Sequence, residues 1–351
     1  MKVSILYAGL ARPHAGWAAI DELAQLLAYY LDGQVLSPAV APLSWVNALM
    51  RPHLVQYQPL QTDGGDVLIV VCRGPGDLGM LDAIKDCRRR FHRIIGFVTD
   101  SYFHAGYVRA TALYDAITVT AHEDMAYPSS RFDIDVHQLH QGIDCLAWAP
   151  RTWMQREIDL IGFGRMPPRY QTCFAQRFHQ PASPVLYLHS PLGNLSGPQV
   201  HAERGMLFKL LQRSRVSLAF HLHVEPQGQR PRSMMVTSRW LESLLSGCIV
   251  AGKRPVSRMA DDMLSWPGAT VELADVPEQA AAELEQLLAS NADLDAQRRT
   301  NVHQTVSRHD WRYRILTLCG LAGIPIPSAL EADLARLRDL AALHATPLAP
   351  A

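Results

Sequence analysis

Short apolar runs alternate with amphipathic stretches along the chain, the pattern that builds parallel sheets covered by helices. Val3–Tyr7 reads as a strand, followed by a loop from Gly9 to Gly16. Ala19, Leu23, Leu26, Leu27 and Tyr30 then recur at helical spacing and predict a helix over 17–31. Asp66–Val71, Arg93–Val98, Tyr114–Thr120 and Val136–Leu139 are further strands, with a helix expected over Leu81–Arg90. Pro38–Pro59 is proline-dotted and irregular, with short elements around Trp45–Met50.

The pattern restarts after Pro150. A strand from Ile158 runs into the Gly162–Arg165 turn, followed by a helix over Arg169–Phe178 and a strand over Val185–Leu188. A helix over His201–Arg213, a strand over Val216–Phe220 and a polar loop over Glu225–Ser233 come next. Toward the end lie the strand Ala269–Leu273, the helix Pro277–Ala289, a basic-to-aromatic segment Asn301–Gly320 and a charged helix Ser328–Leu343. The expectation is an α/β protein of two Rossmann-like domains, 1–151 and 152–320, with a C-terminal helix and tail over 321–351. Two such halves facing each other would form a cleft, and open parallel sheets bind ligands outside their carboxyl ends.

The most informative stretch is Val236–Gly252. Leu241, Leu244 and Leu245 give a helix an apolar face, Gly247 stands where a left-handed cap ends it, and Cys248–Ala251 begins a buried strand. Ser238, Arg239 and Glu242 fall in its first turns. Free amides and an arginine at a helix start suit a phosphate, and a carboxylate one turn on suits a ribose diol. The plain alternative is a core helix with a solvated Arg–Glu pair.

Composition narrows the class. The 351 residues suit two domains, and 48% hydrophobic content supplies two cores. With 33 basic and 33 acidic residues, nothing favours bulk binding to nucleic acid or anionic lipid. The cysteines at 72, 87, 145, 173, 248 and 319 form no CxxC pair, which reads as a reducing compartment. The first apolar run is broken by Gly9 and Pro13 too early for a signal peptide, and no run approaches the length of a membrane span. A cytoplasmic location follows as the expectation.

Several constellations compete for the chemistry. Gly74-Pro75-Gly76-Asp77-Leu78-Gly79, with Asp100 downstream, matches a dinucleotide fingerprint on paper. Pro75 removes an amide from that turn and Asp77 adds negative charge to it. His221, His223 and Glu225 share a strand face with metal-ligand spacing, yet no further cluster supports them, and no metal site is expected. Arg165, with Arg169 behind it, follows the first strand of the second half, where paired guanidiniums suit a diphosphate. In the first half, His14 and Asp100 end loops at the carboxyl side of the sheet and are candidate bases. Each has a structural alternative: a backbone-bonded loop histidine and a helix-capping aspartate.

With these residues placed, the chain resembles the GT-B glycosyltransferases, in particular the group 1 and spore-maturation-protein-like transferases. The resemblance is carried by Phe97-Val98-Thr99-Asp100-Ser101, Tyr114-Asp115-Ala116-Ile117-Thr118-Val119 and Gln141-Gly142-Ile143-Asp144 with Trp148-Ala149-Pro150. It continues in Ile158–Arg165, Arg239–Gly247 and His309-Asp310-Trp311 with Arg314. It implies transfer of a sugar from a nucleotide-diphosphate-sugar co-substrate to a glycan, small-molecule or protein acceptor, with no further cofactor. Glu242 would bind the donor ribose, and Ser238, Arg239 and Arg165 the diphosphate. Met234 stands where retaining relatives carry a second acidic residue, so the resemblance leaves stereochemistry open. A sugar-nucleotide epimerase, a non-catalytic partner-binding relative and an NAD-binding protein are the alternatives.

Overall fold

The computed structural model describes residues 1–42, 55–193, 196–225, 232–290 and 294–345. The elements expected around Trp45–Met50 lie outside them. The first half contributes β1 (Val3–Leu6), β2 (Gln34–Leu36), β3 (Val40–Ala41), β4 (Gln56–Tyr57), β5 (Gly65–Cys72), β6 (Phe91–Val98), β7 (Ala116–Val119) and β8 (Asp135–Gln138). Six of these form one parallel sheet in the order β2-β1-β5-β6-β7-β8, while β3 and β4 pair antiparallel. Ile5, Ile69 and Ile95 lie side by side across the sheet. Val67–Cys72 are all buried, because both faces of the strand are covered. Leu68, Val70, Ile94 and Ile117 pack on Leu78, Leu81 and Ile84.

The helix Ala18–Tyr30 forms where its apolar spacing predicts, burying Ile20, Leu23 and Leu27. Leu81–Arg90 does not form the expected helix. A 3-10 turn spans Pro75–Ala83, Ile84 is extended, Asp86 is left-handed at φ 53°, and a short helix covers Cys87–Arg90. Leu78, Leu81, Ile84 and Cys87 are all buried. The helix expected from Leu81 is cut by the extended Ile84 and the left-handed Asp86.

The second half supplies β9 (Ile158–Gly162), β10 (Tyr187–His189), β11 (Ser214–Phe220), β12 (Ile249–Lys253) and β13 (Val271–Glu272), parallel in the order β10-β9-β11-β12-β13. Helices Pro168–Phe178, Val200–Gln212, Ser238–Leu245 and Pro277–Ala289 follow the strands as expected. Tyr170, Phe174 and Phe178 line one helix face and meet Phe220 and Tyr187.

Gly247, at φ 72°, ends Ser238–Leu245. Its N–H donates to Leu244 O and that of Cys248 to Ser243 O, both at 3.0 Å, the paired bonds of a Schellman cap. Trp240, Leu241, Leu244 and Leu245 are all at most 1% exposed, and Ser243 meets Ser217 hydroxyl to hydroxyl at 2.8 Å. The helix is therefore enclosed beyond the single face that its leucines predict.

By its contacts the chain forms two units. One comprises Met1–Gln141, Pro231–Ser233 and Trp311–Asp333; the other comprises Gly142–Arg230, Met234–Asp310 and Leu334–Ala351. The His309–Arg314 segment is structural in both. In the second unit His309 Nε2 lies 2.8 Å from Met263 O, and Asp310 accepts from Cys145 N at 2.7 Å. In the first, Trp311 is fully buried edge-on to Phe97, and Arg314 donates to His140 O. No helix among the described residues is long and apolar enough to cross a membrane.

Candidate functional site

In each sheet the chain leaves its first strand in one direction and returns on its other side. The topological switch points therefore fall at β1/β5 and β9/β11, where open α/β sheets bind ligands. In the second unit this position is a small open pocket. Arg165, Pro168, Phe220, His221 and Glu225 contribute to its lining.

Arg239 reaches the backbone of Arg165 beside this pocket. Arg239, in the first turn of Ser238–Leu245, donates Nη1 to Arg165 O at 2.5 Å and lies 5.7 Å from the centre of the Phe163 ring. Gly164 permits this approach. It is left-handed at φ 64°, and a Cβ there would lie 2.6 Å from Arg239 Nη2. Burial lowers the Arg239 pKa to about 10, with Glu242 opposing the shift and Arg165 adding to it. Arg239 remains a cation at neutral pH. Arg165 is exposed, and no described residue forms an ion pair with its guanidinium. Ser238 opens the same helix, and Thr237 before it makes no side-chain cap bond.

Arg169 and Glu242 each have a partner that sequence spacing does not reveal. Arg169 Nε lies 2.6 Å from Glu225, which also accepts from Arg169 N at 3.3 Å. Glu225 thus covers the first turn of Pro168–Phe178 from a left-handed backbone, φ 81°. Glu242 is 4% exposed and accepts from Arg204 at 2.6 Å. The solvated Arg–Glu pair considered for this helix does not form; the pair that does form is buried and joins two helices.

The metal-spaced residues do not converge. His221 Nδ1 accepts from His223 N, and Glu225 is held by Arg169. No group of three His, Cys, Asp or Glu side chains among the described residues is arranged to hold a metal ion.

The first unit holds His14 and Asp100. His14 Nδ1 accepts from Gly16 N at 3.1 Å and caps a short 3-10 turn. Asp100 follows β6, its N–H bonded to Arg73 O. Arg73 reaches back across the β1/β5 switch point to Tyr7, Gly9 O, Arg12 O and Asp21. Beside Asp100, the buried Asp124 accepts from Ser101 at 2.7 Å and Ser233 at 3.0 Å, with His104 Nε2 at 3.3 Å.

The dinucleotide reading of Gly74–Gly79 fails on geometry. The segment opens a 3-10 turn, and Asp77 takes the Arg73 amide at 2.9 Å and the Tyr57 hydroxyl at 2.6 Å. A Cβ on Gly74 would meet only Asp100 O, at 3.9 Å, so no close backbone approach demands glycine there.

Comparison with known proteins bears on the fold and on the sequence of the second half. Residues 187–320 match the family described as Glycosyl transferase-like. Anabaena HepE, solved in complex with UDP, superposes with TM-score 0.55 at 10% identity, covering 92% of this chain and 100% of HepE. A glycosyltransferase from Rickettsia africae gives 0.51 at 9% identity, with 92% and 98% covered. S. aureus TarM gives 0.47 at 9% identity over 71% of this chain, which spans about half (54%) of TarM. No curated protein matches by sequence. The chain has the two-Rossmann-domain fold of the GT-B glycosyltransferases and carries a glycosyl transferase-like region over residues 187–320.

Proposed function

We propose that the chain is a glycosyltransferase whose second unit holds a nucleoside-diphosphate sugar at the β9/β11 switch point. The observation that carries this reading is the bond from the Arg239 guanidinium to the backbone carbonyl of Arg165 over the Gly162–Arg165 turn, with Arg239 inside the glycosyl transferase-like region. When the bond from the anomeric carbon to the β-phosphate oxygen breaks, charge accumulates on the departing diphosphate. The Arg239 guanidinium, held in place before the reaction, stabilises that charge without reorganising, and the exposed Arg165 guanidinium adds a second cation. Ser238 and the start of its helix add a hydroxyl and amides to the same anion. Glu242 accepts from the ribose diol, with Arg169 as a further cation at the pocket. The new bond forms to an acceptor hydroxyl, which gives up its proton to a base; His14 and Asp100 are the candidates proposed for that base.

The solved HepE complexes with UDP and UDP-glucose support uridine nucleotides as the first donors to try. The sugar nucleotide is the co-substrate and no other cofactor is proposed. A cytoplasmic setting accords with six free cysteines. The test is thermal-shift and calorimetric titration with uridine, guanosine and adenosine diphosphates and their sugars. Saturable binding by at least one is expected, weakened by Glu242→Gln and Arg239→Gln, while Arg165→Ala slows sugar release more than it weakens binding. Absence of binding across the panel would overturn the proposal.

A further inference from the structure

Glu242 is held from behind. Arg204, on Val200–Gln212, is 5% exposed, and the two charged side chains are 3% and 6% exposed. The guanidinium lies 5.8 Å from the Trp148 ring centre and 5.2 Å from that of Phe208. Those two rings stack in parallel, 4.5 Å apart and 3° from coplanar. A planar cation against flat rings has its fork fixed in direction, which a lysine in the same space would not have. Replacing a buried ion pair by packed aliphatic residues is often neutral or stabilising, so stability alone does not explain this one.

What the arrangement supplies is direction. A carboxylate has about four acceptor positions. Arg204 occupies Oε1 on the side facing Val200–Gln212, and the rest of the carboxylate is left for another donor. Arg239, three residues earlier on the same helix, leans over the Gly162–Arg165 turn. Positions i and i+3 are neighbours on a helix surface. A ligand with an anion at Arg239 therefore presents its next polar group, one turn along, to Glu242.

We infer that Arg204 is the positioning residue that aims Glu242 at the 2′,3′-diol of the bound nucleotide. This rests on the donor reading of the same site. Arg204 touches no substrate; it acts by keeping Glu242 in one orientation as an acceptor. Its loss should therefore remove the contribution of the diol to binding and leave the diphosphate contribution in place.

The experiment compares the nucleoside diphosphate that binds wild-type protein, uridine diphosphate first, with its 2′,3′-dideoxy analogue. Wild-type protein should bind the parent at least tenfold more tightly, and Glu242→Gln should abolish that preference. Arg204→Met should reduce it to threefold or less while binding the dideoxy analogue as wild type does. Arg204→Lys keeps a cation without the fork; it should also lose at least threefold of the preference and serves if Arg204→Met does not fold. A folded variant at position 204 that keeps the full preference overturns the inference, even with the Glu242 result intact. Loss of affinity for parent and analogue in equal measure also overturns it, since that is the outcome of a purely structural role. If wild-type protein binds the nucleotide but ignores the diol, the ribose role of Glu242 falls with it. If no nucleoside diphosphate binds at all, the donor reading itself fails.

Discussion

Gly164→Ala separates the architecture of the arginine pair from general stability. The residue is left-handed at φ 64°, a region that costs an L side chain ~1–2 kcal/mol. Alanine returns ~0.4–1 kcal/mol by narrowing the unfolded ensemble, which leaves a net loss of about 1 kcal/mol. The new Cβ also falls 2.6 Å from Arg239 Nη2. That atom ends a flexible side chain, so the guanidinium moves rather than the backbone. Displacement breaks its bond to Arg165 O and lifts it off Phe163. A hydrogen bond to a charged group is worth ~1.5–3 kcal/mol. Losing one such contact to a diphosphate raises Kd by roughly ten- to a hundredfold.

Urea denaturation should show the modest stability loss, and calorimetry with the bound nucleoside diphosphate the larger affinity loss. Gly323→Ala is the control, since that residue is also left-handed, at φ 70°, and a Cβ there would have no atom within 4 Å. It should lose similar stability and keep its nucleotide affinity. A folded Gly164→Ala protein with Kd within twofold of wild type would refute the role given to Arg239.

Three further outcomes are expected. Glu242→Ala removes the carboxylate from beside the buried Arg204 guanidinium and should cost about 3–5 kcal/mol by urea denaturation; a loss below 1 kcal/mol would contradict a buried ion pair at this position. Glu225→Gln weakens a half-exposed pair worth ~0.2–1 kcal/mol and releases Arg169 toward the pocket, so nucleoside-diphosphate affinity should rise up to about fivefold. A fall in affinity would make Glu225 a ligand contact instead. Burial lowers the pKa values of His344 and His189 below the ordinary 6.5, the first also through Arg299 and His303, the second through His179. Below that pH the unfolded chain binds more protons than the folded one, so stability is intact above it and falls on acidification. Urea midpoints at pH 7.5 and 5.5 should converge partly in His344→Phe, and an unchanged difference would exclude His344 as a source.

Legibility follows the distance over which each feature is encoded. The strand–turn–helix beginnings, the Gly247 cap and the helix Pro277–Ala289 depend on neighbours within a few residues, and the structure has them where periodicity puts them. Leu81–Arg90 departs from its expected helix at the extended Ile84 and the left-handed Asp86, neither of which apolar periodicity reports. The partners of the site residues are encoded at longer range. Arg204 lies 38 positions from Glu242, and Glu225 lies 56 from Arg169. Neither pairing leaves a trace in spacing, because the sheet order brings the residues together. Arg239 and Arg165, 74 apart, are both legible only because each also sits beside a local signal, a helix start and a glycine turn.

The same topology occurs twice in the chain, and the two switch points differ in what fills them. At β1/β5, Arg73 is consumed internally, by the Asp21 carboxylate, two backbone carbonyls and the Tyr7 hydroxyl. Burial, with Asp21 beside it, pushes the Tyr7 phenol far above its ordinary range, so that hydroxyl stays a neutral donor. A guanidinium so engaged holds the first loop in place and has little left for a phosphate. At β9/β11 Arg239 enters over Gly164, and Arg165 stays exposed at the pocket. Fold alone therefore does not choose the anion site, since both units offer the same strand geometry. What differs is which arginine its own protein already neutralises, and on that ground the second unit is the one proposed to bind the donor.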